Sequence, residues 1–84
     1  MDKLKYGPQL KTFVDINGSQ YCVSTVDLLY VGYETMVFTA ADYQIYNYAE
    51  FEEYTRHYPD QDQAIVGHYS TIDKLIENLR QEEE

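Results

Sequence analysis

Asn17-Gly18 stands between two runs of strand-forming residues, and no other dipeptide constrains this chain as strongly. Both central residues of a two-residue type I′ turn need positive φ, which Asn and Gly adopt at least cost. Before the pair, Leu10, Thr12, Val14 and Ile16 alternate with Lys11, Phe13 and Asp15, the period-two pattern of a strand with two unlike faces. After it, Gln20 to about Leu29 is rich in Val, Thr and Tyr. A β-hairpin follows, and a hairpin needs a sheet. A second turn at Tyr30-Val31-Gly32-Tyr33, with Gly32 as the permissive residue, leads into a third strand, Tyr33 to Ala40. That strand carries Met36, Phe38 and Ala40 on one face and Tyr33, Thr35, Val37 and Thr39 on the other.

Punctuation divides the rest. Gly7-Pro8 marks a turn after an N-terminal lead of residues 1–9. Asp42 to Asn47 reads as a turn or as the start of another strand. Ala49 to Tyr58, dense in Tyr, Phe and Thr, is expected as the fourth strand, with a helix as the competing reading because Ala49-Glu50-Phe51-Glu52-Glu53 has helical composition. Pro59 ends that element, and Asp60 can cap a helix with Gln63 at its third position. From there Ile65, Tyr69, Ile72, Ile76 and Leu79 form one apolar stripe, with His68 and Leu75 beside it. The helix is expected over 60–81, with Glu82-Glu83-Glu84 as a frayed acidic tail. The order β-β-β-β-α predicts an α+β domain spanning 1–84. Its mostly antiparallel four-stranded sheet, within 10–58, has one face covered by the C-terminal helix. The stripe of Ile65, Ile72, Ile76 and Leu79 is expected against Met36 and Phe38, because so small a chain cannot leave its best apolar surface wet.

Charge narrows the function classes. Fifteen acids against six Lys and Arg in 84 residues give −9, and the pI is near 4.4. Such a chain is repelled by nucleic-acid phosphates and by anionic membranes, so neither is expected as a direct partner. No apolar run is long enough to span a bilayer, and no signal peptide is read. The single cysteine, Cys22, suits a reducing cytoplasm. Acids concentrate between Glu50 and Asp62, where five of them face one base, Arg56.

Tyr33-Glu34-Thr35-Met36-Val37-Phe38, preceded by Ser24-Thr25-Val26, resembles a strand found in small proteins of tailed bacteriophages. His57-Tyr58, Asp60-Gln61-Asp62 and Ala64-Ile65-Val66-Gly67-His68 occupy the places of that group's later strand end, acidic helix start and Ala-x-x-Gly-His helix. The resemblance runs from about Tyr21 to Leu79 and departs near Ala49–Phe51, where a tryptophan is expected and none occurs. It implies a phage origin, hence the cytoplasm of a bacterial host, and a fold. It implies no activity.

Catalytic chemistry finds little footing. His57 and His68, eleven residues apart, fit no compact zinc spacing, and His68 beside the stripe reads as a packed histidine with satisfied nitrogens. Cys22, between Tyr21 and Val23, reads as a small buried hydrophobe. Ser24, Thr25 and Ser70 lack a nucleophile-elbow setting, and four scattered glycines make no phosphate loop. Asp15, Asp27 and Glu34 have no spacing that supports a metal-dependent nuclease. No enzyme, cofactor or metal site is therefore expected. Gly67, costly inside a helix, is expected where helix and sheet approach closely.

The tyrosines carry more. Tyr43, Tyr46, Tyr48, Tyr54 and Tyr58 crowd into sixteen residues, interleaved with acids, and Tyr is enriched at interface hot spots. The expected partner-binding residues are Tyr48, Glu50, Glu52, Glu53, Tyr54, Tyr58, Asp60 and Asp62, with Glu52, Tyr54, Arg56 and Tyr58 sharing one exposed strand face. The expected function is a phage protein that binds and inhibits a host protein with a basic nucleic-acid groove, as an anti-CRISPR or DNA-mimic inhibitor does. A homodimeric structural or assembly protein is the alternative, and an unrecognised enzyme ranks third.

Overall fold

A computed structural model describes residues 10–83; the 1–9 lead with its Gly7-Pro8 turn, and Glu84, lie outside the described residues. Strand β1 (Leu10–Ile16) turns at Asn17-Gly18 into β2 (Ser19–Asp27), which returns as β3 (Tyr33–Ala41). Asn17 and Gly18 take φ of 54° and 85°, the type I′ turn expected of them. A short strand β4 (Gln44–Asn47), a single 3-10 turn (Glu52–Tyr54) and strand β5 (Arg56–Tyr58) precede helix α1 (Gln61–Glu83). Every pairing is antiparallel, in the order β1-β2-β3-β4 with β5 also on β3. The class is the expected one: an α+β fold with a single C-terminal helix packed on the sheet.

The fourth strand lies elsewhere. Ala49–Tyr58 is not one strand, because β4 forms at Gln44–Asn47 and the later segment divides into the 3-10 turn and the three-residue β5. Asp42 and Tyr43 make the turn into β4 with φ of 52° and 62°. Both short strands attach to β3, β4 at Thr39–Ala41 and β5 at Tyr33–Thr35, and the Phe51 N–H donates to the Val37 carbonyl between them. One strand edge is thus closed by three successive pieces of a winding segment. Gly32, at φ 101°, takes the β2–β3 turn close under β5, where a Cβ would meet the Tyr58 carbonyl oxygen at 2.5 Å.

Asp60 caps α1 as its sequence suggests: its Oδ1 accepts from the Gln63 N–H at 2.9 Å, and Gln63 Nε2 donates back to Oδ2. The helix continues through Glu83, so Glu82 and Glu83 are helical. Its buried line, however, is not the stripe of isoleucines. Ala64, Gly67, His68, Thr71 and Leu75 are buried, Ile72, Ile76 and Leu79 pack at the margin, and Ile65 and Tyr69 are 37% and 54% exposed. Beneath lies the face carrying Val23, Val37, Thr25 and Thr35, whereas Met36 and Phe38 belong to the opposite face. The helix sits on the other side of the sheet from the expected one.

Polar pairing explains the choice. His68, fully buried, is hydrogen-bonded through Nε2 to Thr12 Oγ1 at 2.9 Å and through Nδ1 to Thr25 Oγ1 at 2.7 Å; Thr25 continues to Thr35 Oγ1 at 2.6 Å. The threonine face satisfies both nitrogens of the buried imidazole, and an unsatisfied one costs several kcal/mol, on the order of 2–7. Small residues then let the helix approach. A Cβ on Gly67 would run into the Tyr58 ring, so the close approach expected at this glycine is to a side chain of β5.

Candidate interaction face

Two faces of the sheet have different chemistry. Below α1, Leu75 is 1% exposed among Val23, Val37, Ile16 and Tyr54. On the other side, among the described residues, no second helix or sheet layer lies over β1–β3. Register puts Phe13, Cys22 and Phe38 side by side there. Two tyrosines lean over them: Tyr43 meets Phe13 edge-on with ring centroids 5.6 Å apart, and Tyr48 meets Phe38 at 5.4 Å. Both tyrosines, with Tyr46, remain about two-thirds exposed or more, at 66%, 72% and 67%. Phe38 and Cys22 beneath are buried. Burial pushes the Cys22 thiol pKa up, only partly opposed by the nearby Lys11 charge, so the sulfur stays a protonated packing group. At the outer rim Glu34 and the exposed His57 pair at 2.9 Å.

The segment after β4 carries the chain from this open face around the edge of β3. Tyr48 rests on Phe38, Phe51 meets Tyr21 edge-on at 6.0 Å on the helix side, and Tyr54 enters the core. The expected binding residues are therefore distributed over three environments. Tyr48 lies exposed on the open face. Glu52 and Glu53 are exposed at the bend, while Glu50 turns inward to accept from the Thr55 hydroxyl. Tyr54 is only 7% exposed, its hydroxyl accepting from Asn78 Nδ2 at 3.0 Å, so it shares no exposed strand face with Glu52, Arg56 and Tyr58. Tyr58 is half-buried against Gly67, Asp60 is spent as a helix cap, and Asp62 is exposed in the first helical turn.

Phe13 and Tyr43 are the residues this face adds to the expected set. A turn signal was present for Tyr43, since Asp tolerates the left-handed region and Ala41-Asp42-Tyr43-Gln44 joins two β-forming runs. His68, by contrast, offers no reactive edge. Both its nitrogens are bonded, burial lowers its pKa, and the neutral ring donates to one threonine while accepting from another. Among the described residues no cluster of His, Cys, Asp and Glu could hold a metal ion, and no helix is long and apolar enough to cross a membrane. No protein-family model, curated protein or solved structure matches the chain.

Proposed function

We propose that this chain is a non-catalytic binding protein of phage origin that docks on, and blocks, a positively charged surface of a host protein that handles nucleic acid. The observation that supports it is the pair Tyr43 and Tyr48, both exposed, on the sheet face opposite the helix, over which no second layer lies among the described residues, in a chain of net charge −9. Tyrosines already packed on phenylalanine rings, Tyr48 on buried Phe38 and Tyr43 on half-buried Phe13, lose little entropy when a partner covers them. Exposed Glu52 and Glu53 lie at the bend where the same segment leaves that face. Their charge, added to that of the whole domain, accelerates encounter with a basic groove and makes the on-rate fall as salt rises.

The test is capture from host lysate on immobilised protein, followed by titration of each captured protein with wild type, Tyr43→Ala and Tyr48→Ala. The expected partner is displaced by duplex DNA or RNA, associates more slowly at high salt, and binds either variant at least about tenfold more weakly, as hot-spot tyrosines do. Binding that neither nucleic acid, salt nor either tyrosine affects would overturn the proposal.

A further inference from the structure

We propose that β1 pairs with β1 of a second copy of this chain, antiparallel and centred on Phe13. Among the described residues the outer edge of β1 has no neighbour, while the opposite edge of the sheet is closed by β4, Phe51 and β5. The seven residues of β1 are a long edge to leave unpaired, and neither Pro nor a bulge interrupts it. Leu10, Phe13 and Val14 on this edge are only half-buried.

Hairpin geometry decides which backbone groups are offered. Ile16 and Ser19 flank the two-residue turn as a hydrogen-bonded pair, so Ile16, Val14, Thr12 and Leu10 direct their N–H and C=O groups to β2. Lys11, Phe13 and Asp15 then direct theirs outward. A two-fold axis at Phe13 places these three outward residues opposite one another, and it is the register that pairs all seven residues. It sets Leu10 against Ile16 of the partner, Thr12 against Val14, and Phe13 against its own copy. It also sets Lys11 against Asp15 of the partner twice, once on each side of the axis. Shifting the axis by one residue either way would put Lys11 opposite Phe13 or Asn17 and lose both charge pairs. Lys11 and Asp15 are exposed in the single chain; Asp15 Oδ1 accepts from Gln20 Nε2 of β2 at 3.0 Å, an exposed bond that the Lys11 ammonium of the second copy would join or replace. The dimer would join both open faces into one continuous sheet, and the inference stands whether or not that face binds a host protein.

Sedimentation equilibrium at physiological ionic strength, where repulsion between two −9 chains is screened beyond about 8 Å, measures it. The expected mass is twice 9.9 kDa. Lys11→Asp sets like charges opposite each other at both positions and raises the dimer dissociation constant by roughly tenfold or more. The double swap Lys11→Asp with Asp15→Lys restores dimerisation, with circular dichroism unchanged throughout. A wild type that stays monomeric at sub-millimolar concentration overturns the proposal. So does a dimer indifferent to Lys11→Asp, or one that the double swap leaves dissociated.

Discussion

Acid should loosen this fold through one residue, His68. It is fully buried, and the groups facing it are uncharged: Thr12 from β1, Thr25 from β2 with Thr35 of β3 behind it, and the Tyr69 ring edge-on at 5.1 Å on its own helix. Protonation would place an imidazolium among hydroxyls, and burial accordingly lowers the pKa in the folded state. The unfolded chain takes up its proton near pH 6.5 while the folded chain resists, so stability is full above about 6.5 and declines as the pH falls below it. One proton changes stability by up to about 1.4 kcal/mol per pH unit, hence by at most about 2 kcal/mol by pH 5. Against a total of about 4–13 kcal/mol for a chain of this length, that is a large fraction. It corresponds to a fall in Tm of roughly 8–16 °C. The assay is urea unfolding followed by circular dichroism at pH steps between about 7 and 5, where model carboxylates remain largely ionised. His68→Leu should cost about 1–3 kcal/mol at neutral pH, through two lost hydrogen bonds, and should flatten the dependence. An identical slope in wild type and His68→Leu would refute the reasoning.

Two further substitutions test the packing. Gly67→Ala, which on an exposed helix would gain up to about 1 kcal/mol, should instead destabilise by about 1–3 kcal/mol because the new methyl meets the Tyr58 ring. The loss should shrink in a Tyr58→Ala background, as a double-mutant cycle by denaturant unfolding would measure. Thr39 Oγ1 is buried without a hydrogen-bond partner among the described residues. Thr39→Val should therefore raise stability by about 1 kcal/mol, and a lowered unfolding midpoint would show that the hydroxyl has a partner.

Local patterns were decisive wherever a residue's conformation depends on its immediate neighbours. Asn17-Gly18 determined the first hairpin, the alternation of Leu10–Ile16 determined β1, and Asp60 with Gln63 determined where α1 begins, because turns and caps are closed within a few residues. The pairing of Tyr33–Ala41 followed from the same period of two. Which side of that strand the helix would cover did not follow. Apolar character favoured Met36 and Phe38, but the buried His68 needed the hydroxyls of Thr12 and Thr25, and those come from residues 56 and 43 positions away. That requirement turned the helix by about one residue, buried Ala64, Gly67 and Thr71, and left Ile65 and Tyr69 toward solvent. The tyrosine cluster was visible in the sequence as a cluster, yet its division was not. Tyr48 stays outside while Tyr54 enters the core because the chain bends around the edge of β3, where the Phe51 N–H finds the carbonyl of Val37. A backbone bond between segments distant in sequence leaves no periodic trace, so only the tertiary structure could decide which tyrosines remain free to meet a partner.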